Sequence, residues 1–347
     1  MLESLTRQLS DSTSLTSDQV DNAVAHLIDK TVPAEVKADF LTALARKGET
    51  VDEIAAFARA LREKCTPLPL HPETRALEIL DVCGTGGDRL NTFNISTTVA
   101  LVAAAAGIFV AKHGNRAITS QAGSADVLEA LGIAIDLSPE KAGVFLREHR
   151  FIFLFAPNYH PTFKHIAAAR KLCAEKGQRT IFNFLGPLLN PARPTAQLVG
   201  VPRRELCEPV ARVLQLLGVR RGMVVSGAVG LAQLDELSTL GENAIAEFYQ
   251  ERGFHTSVLS PHQFPLQKAA LEDLCGGDAK ANAEIVRRLL RGEEKGPKRD
   301  AVLLNSAAAL FVANRAKSLA DGWDLAAEVI DSGKADQKLV ELVAGSK

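Results

Sequence analysis

Residues 81–97 read DVCGTGGDRLNTFNIST and set three glycines among a dense group of hydroxyl, amide and carboxylate side chains. The run ALEILDV that leads into them is strand-like, and STTVALVAAAAG, which closes the stretch, is helix-like. The glycines therefore occupy a strand-to-helix turn, where backbone N–H groups and a helix N-terminus face an anion. Glycine also permits the positive φ angles and close backbone approach that such a cradle needs. Arg89 rules out the two common nucleotide loops. It stands where a P-loop has the glycine of Gly-Lys-Ser/Thr and where GxGxxG has its last glycine. What remains is a phosphate cradle lined by Asp88, Thr92, Asn94, Ser96 and Thr97. Hydroxyls and amides in such number suit a ligand with several hydroxyls and phosphates, such as a sugar phosphate.

A second cluster compresses Lys112, His113, Asn115 and Arg116 around Gly114, at the end of another apolar run. Ligands of open α/β sheets bind beyond the carboxyl ends of the strands. Lys112 would bring a point charge for phosphate, and Asn115 both donates and accepts. Ser124, in GSAD, opens the next helix and is a further anion contact. Either loop alone could be a simple turn; two in one sheet make a site.

The elements that must position these loops come in two kinds. The first seventy residues have helical spacing, with Val36, Phe40, Leu41 and Leu44 on one stripe. Pro33 and Gly48 suit the start and end of that helix. Thr50 and Glu53 form a capping-box pattern for the next. CTPLPLHPET, with three prolines, reads as a linker. From ALEILDV onward, short apolar runs (GIFVAKHG, IAID, FIFLFAP, AQLVGV, GMVVSGA, AIAEFY) alternate with longer helical stretches. Such alternation predicts an α/β fold with a mostly parallel central sheet. The tail from Asp278 is helical again.

With 347 residues the chain can bury a sizeable core, and a net charge of −1 argues against a general nucleic-acid binder. Cys65, Cys83, Cys173, Cys207 and Cys275 show no CxxC pair, which fits reduced thiols in a cytoplasmic protein. Cys83 reads as a small buried filler. The amino terminus lacks a secretory signal pattern. The longest uncharged run, Leu90 to Ala111, carries asparagines and threonines that a membrane span would avoid. It reads as loop, buried helix and strand.

GTGGD, NIST, KHGNRA, GSADVLEALG and RTIFNFLGPLLNPA together resemble the anthranilate phosphoribosyltransferases of the tryptophan pathway, over nearly the whole chain. The resemblance implies a small helical domain, 1–72, with helices within 161–178 as candidates to join it, and a large α/β domain, 73–347. It also implies a homodimer, phosphoribosyl pyrophosphate and anthranilate as substrates, and Mg²⁺. Around the donor it places Gly84, Gly87, Asp88, Thr92, Asn94, Ile95, Ser96, Thr97, Lys112 and Ser124. His113, Gly114, Asn115, His160 and Arg170 also fall in its substrate site, with Asn115 and Gly84 facing anthranilate and Arg170 gripping its carboxylate. Lys112, Asn115 and Arg170 are the catalytic candidates, and Ser96, Asp235 and Glu236 the metal ligands.

The chain departs from the family pattern in three places. Three extra residues lie within KLCAEKGQ, after Arg170. Gln121 and Ala122 replace a Lys-Ser-like pair, and SGAVGLAQLDE puts Ser226 where the family has histidine. The altered segments 171–178 and 226–234 keep open a different aromatic acceptor, while Gln121 and Ala122 remove a cation near the phosphates. The other rivals are a nucleoside phosphorylase of the same architecture and a nucleic-acid-binding paralogue.

Overall fold

The computed structural model describes residues 1–117 and 121–346. Four helices come first: α1 (Leu2–Ser10), α2 (Ser17–Leu27), α3 (Ala34–Lys47) and α4 (Val51–Glu63). Thr50 and Glu53 do form a capping box on α4, and Thr16 with Gln19 forms another on α2. Glu53 does more than cap. Buried, it also accepts from Leu15 N and from Lys47 Nζ, at 2.9 and 2.6 Å, tying α4 to the chain before α2. Gly48 ends α3 at φ 85°, a conformation that favours glycine.

The sheet has five parallel strands, β1 (Ile79–Gly84), β2 (Phe109–Gly114), β3 (Phe151–Phe155), β4 (Ala196–Gly200) and β5 (Arg221–Val229). Three antiparallel strands extend it, β6 (Ala232–Leu234), β7 (Asn243–Tyr249) and β8 (Gly253–Leu259). The order is β3-β2-β1-β4-β5-β7-β8, with β6 paired to β5. The chain moves from β1 to β2 and β3 on one side, then returns to add β4 and β5 on the other. That reversal makes the β1–β4 boundary a topological switch point, the place where open α/β sheets bind ligands. The loop after β1 is the GTGGD loop.

Alternation along the strands sends side chains to two cores. Leu80 and Val82 join the apolar cluster formed with helix Ile95–Ala105 and the C-terminal helices. Cys83 and Val199 join the cluster formed with α1–α4 and helix Cys207–Leu216. Helix Ala167–Glu175 packs on α3, where Cys173 Sγ lies 3.6 Å from Ala38 O. Cys83 is a buried filler, as expected. The run from Leu90 to Ala111 is loop, helix and strand, and among the described residues no helix is long and apolar enough to cross a membrane.

One run differs from expectation. Ile133–Asp136 is no strand, although Ile133 and Ile135 are buried. Its backbone donors are engaged elsewhere: Ile133 N bonds back to Leu128 O across the left-handed Gly132, and Ala134 N bonds Ser346 Oγ. β8 escaped the sequence reading because it is an edge strand, with most of its residues exposed or half-buried.

Gly200, the last residue of β4, lies flush against the chain that follows β6. A Cβ there would sit 1.5 Å from Asp235 O. Gly200→Ala is therefore expected to lose about 1–3 kcal/mol of stability by overpacking in urea unfolding, whereas Gly186→Ala, with open space around it and no left-handed backbone, loses less.

Candidate active site

The loop after β1 obtains its shape from left-handed residues. Gly86 and Gly87 have φ of 76° and 92°, and Arg89 and Asn91 follow at 61° and 54°. Thr92 then bridges to Cys275, and Phe93 N bonds Leu274 O, so the loop ends anchored before helix Ile95–Ala105 begins. Asn94 caps nothing; its Nδ2 reaches Ala122 O at 3.4 Å and its Oδ1 has no partner among the described residues.

Asp235 and Glu236, distant in sequence, close this loop from the other side. Asp235 Oδ2 accepts from Gly86 N at 2.6 Å, and Glu236 Oε1 from Ser96 N at 3.2 Å. Asn305 clamps the next residue through both Leu237 N and O, at 2.8 and 2.9 Å. A Cβ on Gly84 would fall 2.2 Å from Asp235 Oδ2, so only glycine fits. Burial raises the Glu236 carboxyl to about 7, against the pull of Lys112. Burial, then the charges of Asp88 and Glu236, push Asp235 well above the usual carboxylate range. Asp235, Glu236 and the Ser96 hydroxyl are hard-oxygen donors of the type Mg²⁺ takes alongside substrate phosphates, although among the described residues no three carboxylates converge on one metal position.

Lys112 is buried at the end of β2 and donates to Val82 O at 2.5 Å and to Ser96 Oγ at 3.3 Å. Its ammonium thus stands between the glycine loop and the acidic pair. A Cβ on Gly114 would lie 2.4 Å from Ser124 Oγ, which itself donates to Asn115 O at 3.3 Å. Arg116 turns away from the cluster, into ion pairs with Asp126 and Glu129 at 2.9 and 2.8 Å. Asn115 is exposed at the rim.

His113 and His160 face each other, ring centroids 5.2 Å apart, and His160 continues to Phe163 at 5.0 Å. Phe163 meets Phe182, over whose ring Arg170 lies at 5.4 Å. Burial lowers His113 to about 3 and His160 to about 4, so both are neutral. The structure thus brings the expected residues into two adjoining groups. One is polar and charged, around β1 and β2; the other is aromatic, ending at Arg170.

The profile described as glycosyl transferase family, a/b domain, matches residues 76–336, and that of its helical bundle domain matches 3–65. An anthranilate phosphoribosyltransferase from Petrotoga mobilis is 46% identical, covering 95% of this chain and 92% of that protein. The chain belongs to the anthranilate phosphoribosyltransferase family. The crystal structure of the Thermus thermophilus member superposes with a TM-score of 0.89 at 43% identity, covering 98% of each chain. The Saccharomyces cerevisiae member, solved with phosphoribosyl pyrophosphate and Mg, gives 0.87 at 28% identity over 99% of this chain and 97% of that one. The yeast protein has also been solved with 4-fluoroanthranilate.

The departures from the anthranilate phosphoribosyltransferase pattern have local solutions. After Arg170 the chain completes helix Ala167–Glu175 and turns at Gly177, φ 66°, leaving Arg170 on Phe182. Ser226 donates to Gln233 within the β5–β6 hairpin at 3.1 Å. Sequence reasoning passed over Asp81, Asn190, Thr85 and Asn305. Asp81 had a signal, a carboxylate inside an apolar strand; it is wholly buried and raised to about 6, chiefly by desolvation.

The acidic pair has a thermodynamic signature. A carboxyl raised on folding keeps its proton in the native state at pH values where the unfolded chain has lost it. Stability therefore falls as pH rises from about 4.5 through 7. Asp235→Asn should flatten that fall and raise the melting temperature of the ligand-free protein at pH 8 by about 2–4 °C, with a smaller gain at pH 5. Parallel melting curves of the two proteins across that range would refute the like-charge account.

Proposed function

We propose that this chain transfers the phosphoribosyl group of phosphoribosyl pyrophosphate to the amine of anthranilate, releasing pyrophosphate, in tryptophan biosynthesis. One observation carries the reading. Thr85 Oγ1, Asn94 Oδ1, Thr97 Oγ1 and His113 Nε2 are buried without partners among the described residues. Leaving such atoms unpaired costs about 1–3 kcal/mol each. All belong to the segments that meet at the carboxyl ends of β1 and β2. A ligand with phosphates and hydroxyls at one end and an aromatic amine at the other would meet them. The yeast relative's complexes support both halves.

On this reading Gly84, Gly87, Asp88, Thr92, Asn94, Ile95, Ser96, Thr97 and Ser124 line the donor, and Ser96, Asp235 and Glu236 would hold Mg²⁺ together with the donor's phosphates. The metal supplies Lewis-acid stabilisation of the pyrophosphate leaving group. As the bond from ribose C1 to pyrophosphate breaks, negative charge grows on the leaving oxygen, and the Lys112 ammonium is placed to meet it. His113, Gly114, Asn115 and His160 hold the aromatic amine, whose nitrogen is already nucleophilic, while Arg170 engages the carboxylate in a two-pronged hydrogen bond. The neutral histidines accept hydrogen bonds and need not act as strong bases. Catalysis rests on positioning and on water exclusion. Family membership further supports a homodimeric cytoplasmic enzyme.

The test is loss of anthranilate fluorescence on mixing the protein with phosphoribosyl pyrophosphate and Mg²⁺, with EDTA as control. A metal-dependent decay is expected; its absence from protein that binds the donor would point to another acceptor. Asp235→Ala combined with Glu236→Ala should abolish Mg²⁺-dependent turnover while far-ultraviolet circular dichroism stays native. Arg170→Ala should chiefly raise KM for anthranilate, by about tenfold or more for a lost charge-assisted pair; an unchanged KM would assign the carboxylate to another anchor.

A further inference from the structure

The segment Gly186–Asn190 is a short 3₁₀ turn and its flank, held at nearly every residue by a different part of the molecule. His113 of β2 contacts Gly186 O through Nδ1 at 3.2 Å. Gln197 of β4 donates to Pro187 O at 3.0 Å. Arg62 of α4 donates Nε–H to Leu188 O at 2.5 Å. Asn190 donates to Asp81 Oδ2 and to Ala111 O, at 2.8 and 2.7 Å. The segment is thus a strap pinned from β1, β2, β4 and the helical layer.

The pin at His113 has a chemical consequence. A carbonyl oxygen can only accept, and His113 is neutral, so the contact requires the proton on Nδ1 and leaves Nε2 an acceptor. Nε2 is one of the buried atoms without a partner among the described residues. Where Gly186 O sits therefore decides which face of the imidazole meets a ligand. Its neighbour Leu188 is held by Arg62, 126 residues earlier in the chain and only 7% exposed. Among the described residues Arg62 makes no ion pair and its Nη2 has no partner, and the one carboxyl that favours its buried charge, Asp81, acts on it without an ion-pair contact.

We propose that Arg62 is a positioning residue: through the Leu188 carbonyl it sets the strap, and the strap holds His113 in the Nδ1–H tautomer that presents Nε2 to the acceptor. The proposal rests on the acceptor reading above. It makes the helical layer a determinant of acceptor geometry, separate from the donor loop.

The experiment compares Arg62→Met and Arg62→Lys with the parent protein in three readouts: KM for anthranilate, calorimetric Kd for phosphoribosyl pyrophosphate, and the ¹⁵N shifts of the His113 ring. Small displacements of reacting groups cost up to about a hundredfold. Arg62→Met is expected to raise KM for anthranilate about tenfold, leave the donor Kd unchanged and erase the Nδ1–H signature. Arg62→Lys, which keeps a donor, should recover part of both losses. An unmoved His113 signature, or equal weakening of both substrates, would reduce Arg62 to ordinary packing and overturn the proposal. If Arg62→Met does not fold, Gln197→Leu removes the adjacent pin and carries the same expectations. Should the parent protein turn over no anthranilate, the functional reading fails, and the nitrogen shifts alone still decide whether the strap sets the tautomer.

Discussion

The geometry of the site depends on one close approach: the chain at Leu234–Leu237 lies in backbone contact with the ends of β1 and β4. Gly84 and Gly200 make room for it by having no Cβ, and Asn305 fixes it from behind with paired hydrogen bonds. That contact forces Asp235 and Glu236 into desolvated space beside Lys112 and the glycine loop. Their raised proton affinities follow from it, as does the bond from Gly86 N that holds the loop. A single methyl group at Gly200 would separate the parts.

Around this contact the protein tolerates an accumulation of features that a core normally avoids. Carboxylates crowd together, a lysine ammonium is buried on a carbonyl, two imidazoles lie neutral and under-bonded, and hydroxyls lack partners among the described residues. Each is locally unfavourable, and the two apolar clusters on either face of the sheet hold them in place. Such departures from local consistency gather where a protein works. The aromatic run from His113 to Phe182 supplies the apolar half of the same site, so a charged donor and a flat acceptor can lie side by side.

Much of this was legible in the residues. The two glycine-bearing loops announce themselves because glycine, lysine and hydroxyl types are placed by short-range spacing, and each loop follows a visible strand. Thr50 with Glu53 marks a helix start because a capping box is a local hydrogen-bond exchange. Ile133–Asp136 misled because an apolar run is also what a buried turn requires when its backbone is bonded elsewhere. β8 stayed hidden because an edge strand, exposed on much of its surface, need not alternate.

The sequence by itself determined most of the elements, the two glycine-bearing loops and the family, since these depend on local propensity and on motifs read along the chain. It also carried the acidic pair, but as one dipeptide among many. Only the tertiary structure made that dipeptide a site, by setting it 2.6 Å from a backbone amide 149 residues away. Tertiary structure likewise decided that Asp81 and Arg62 are buried, that Arg170 lies on Phe182, and that Gly186 dictates the tautomer of His113. These outcomes depend on desolvation and on distances between remote segments. Desolvation and distance are properties of the packed chain, and no residue type or spacing encodes them alone.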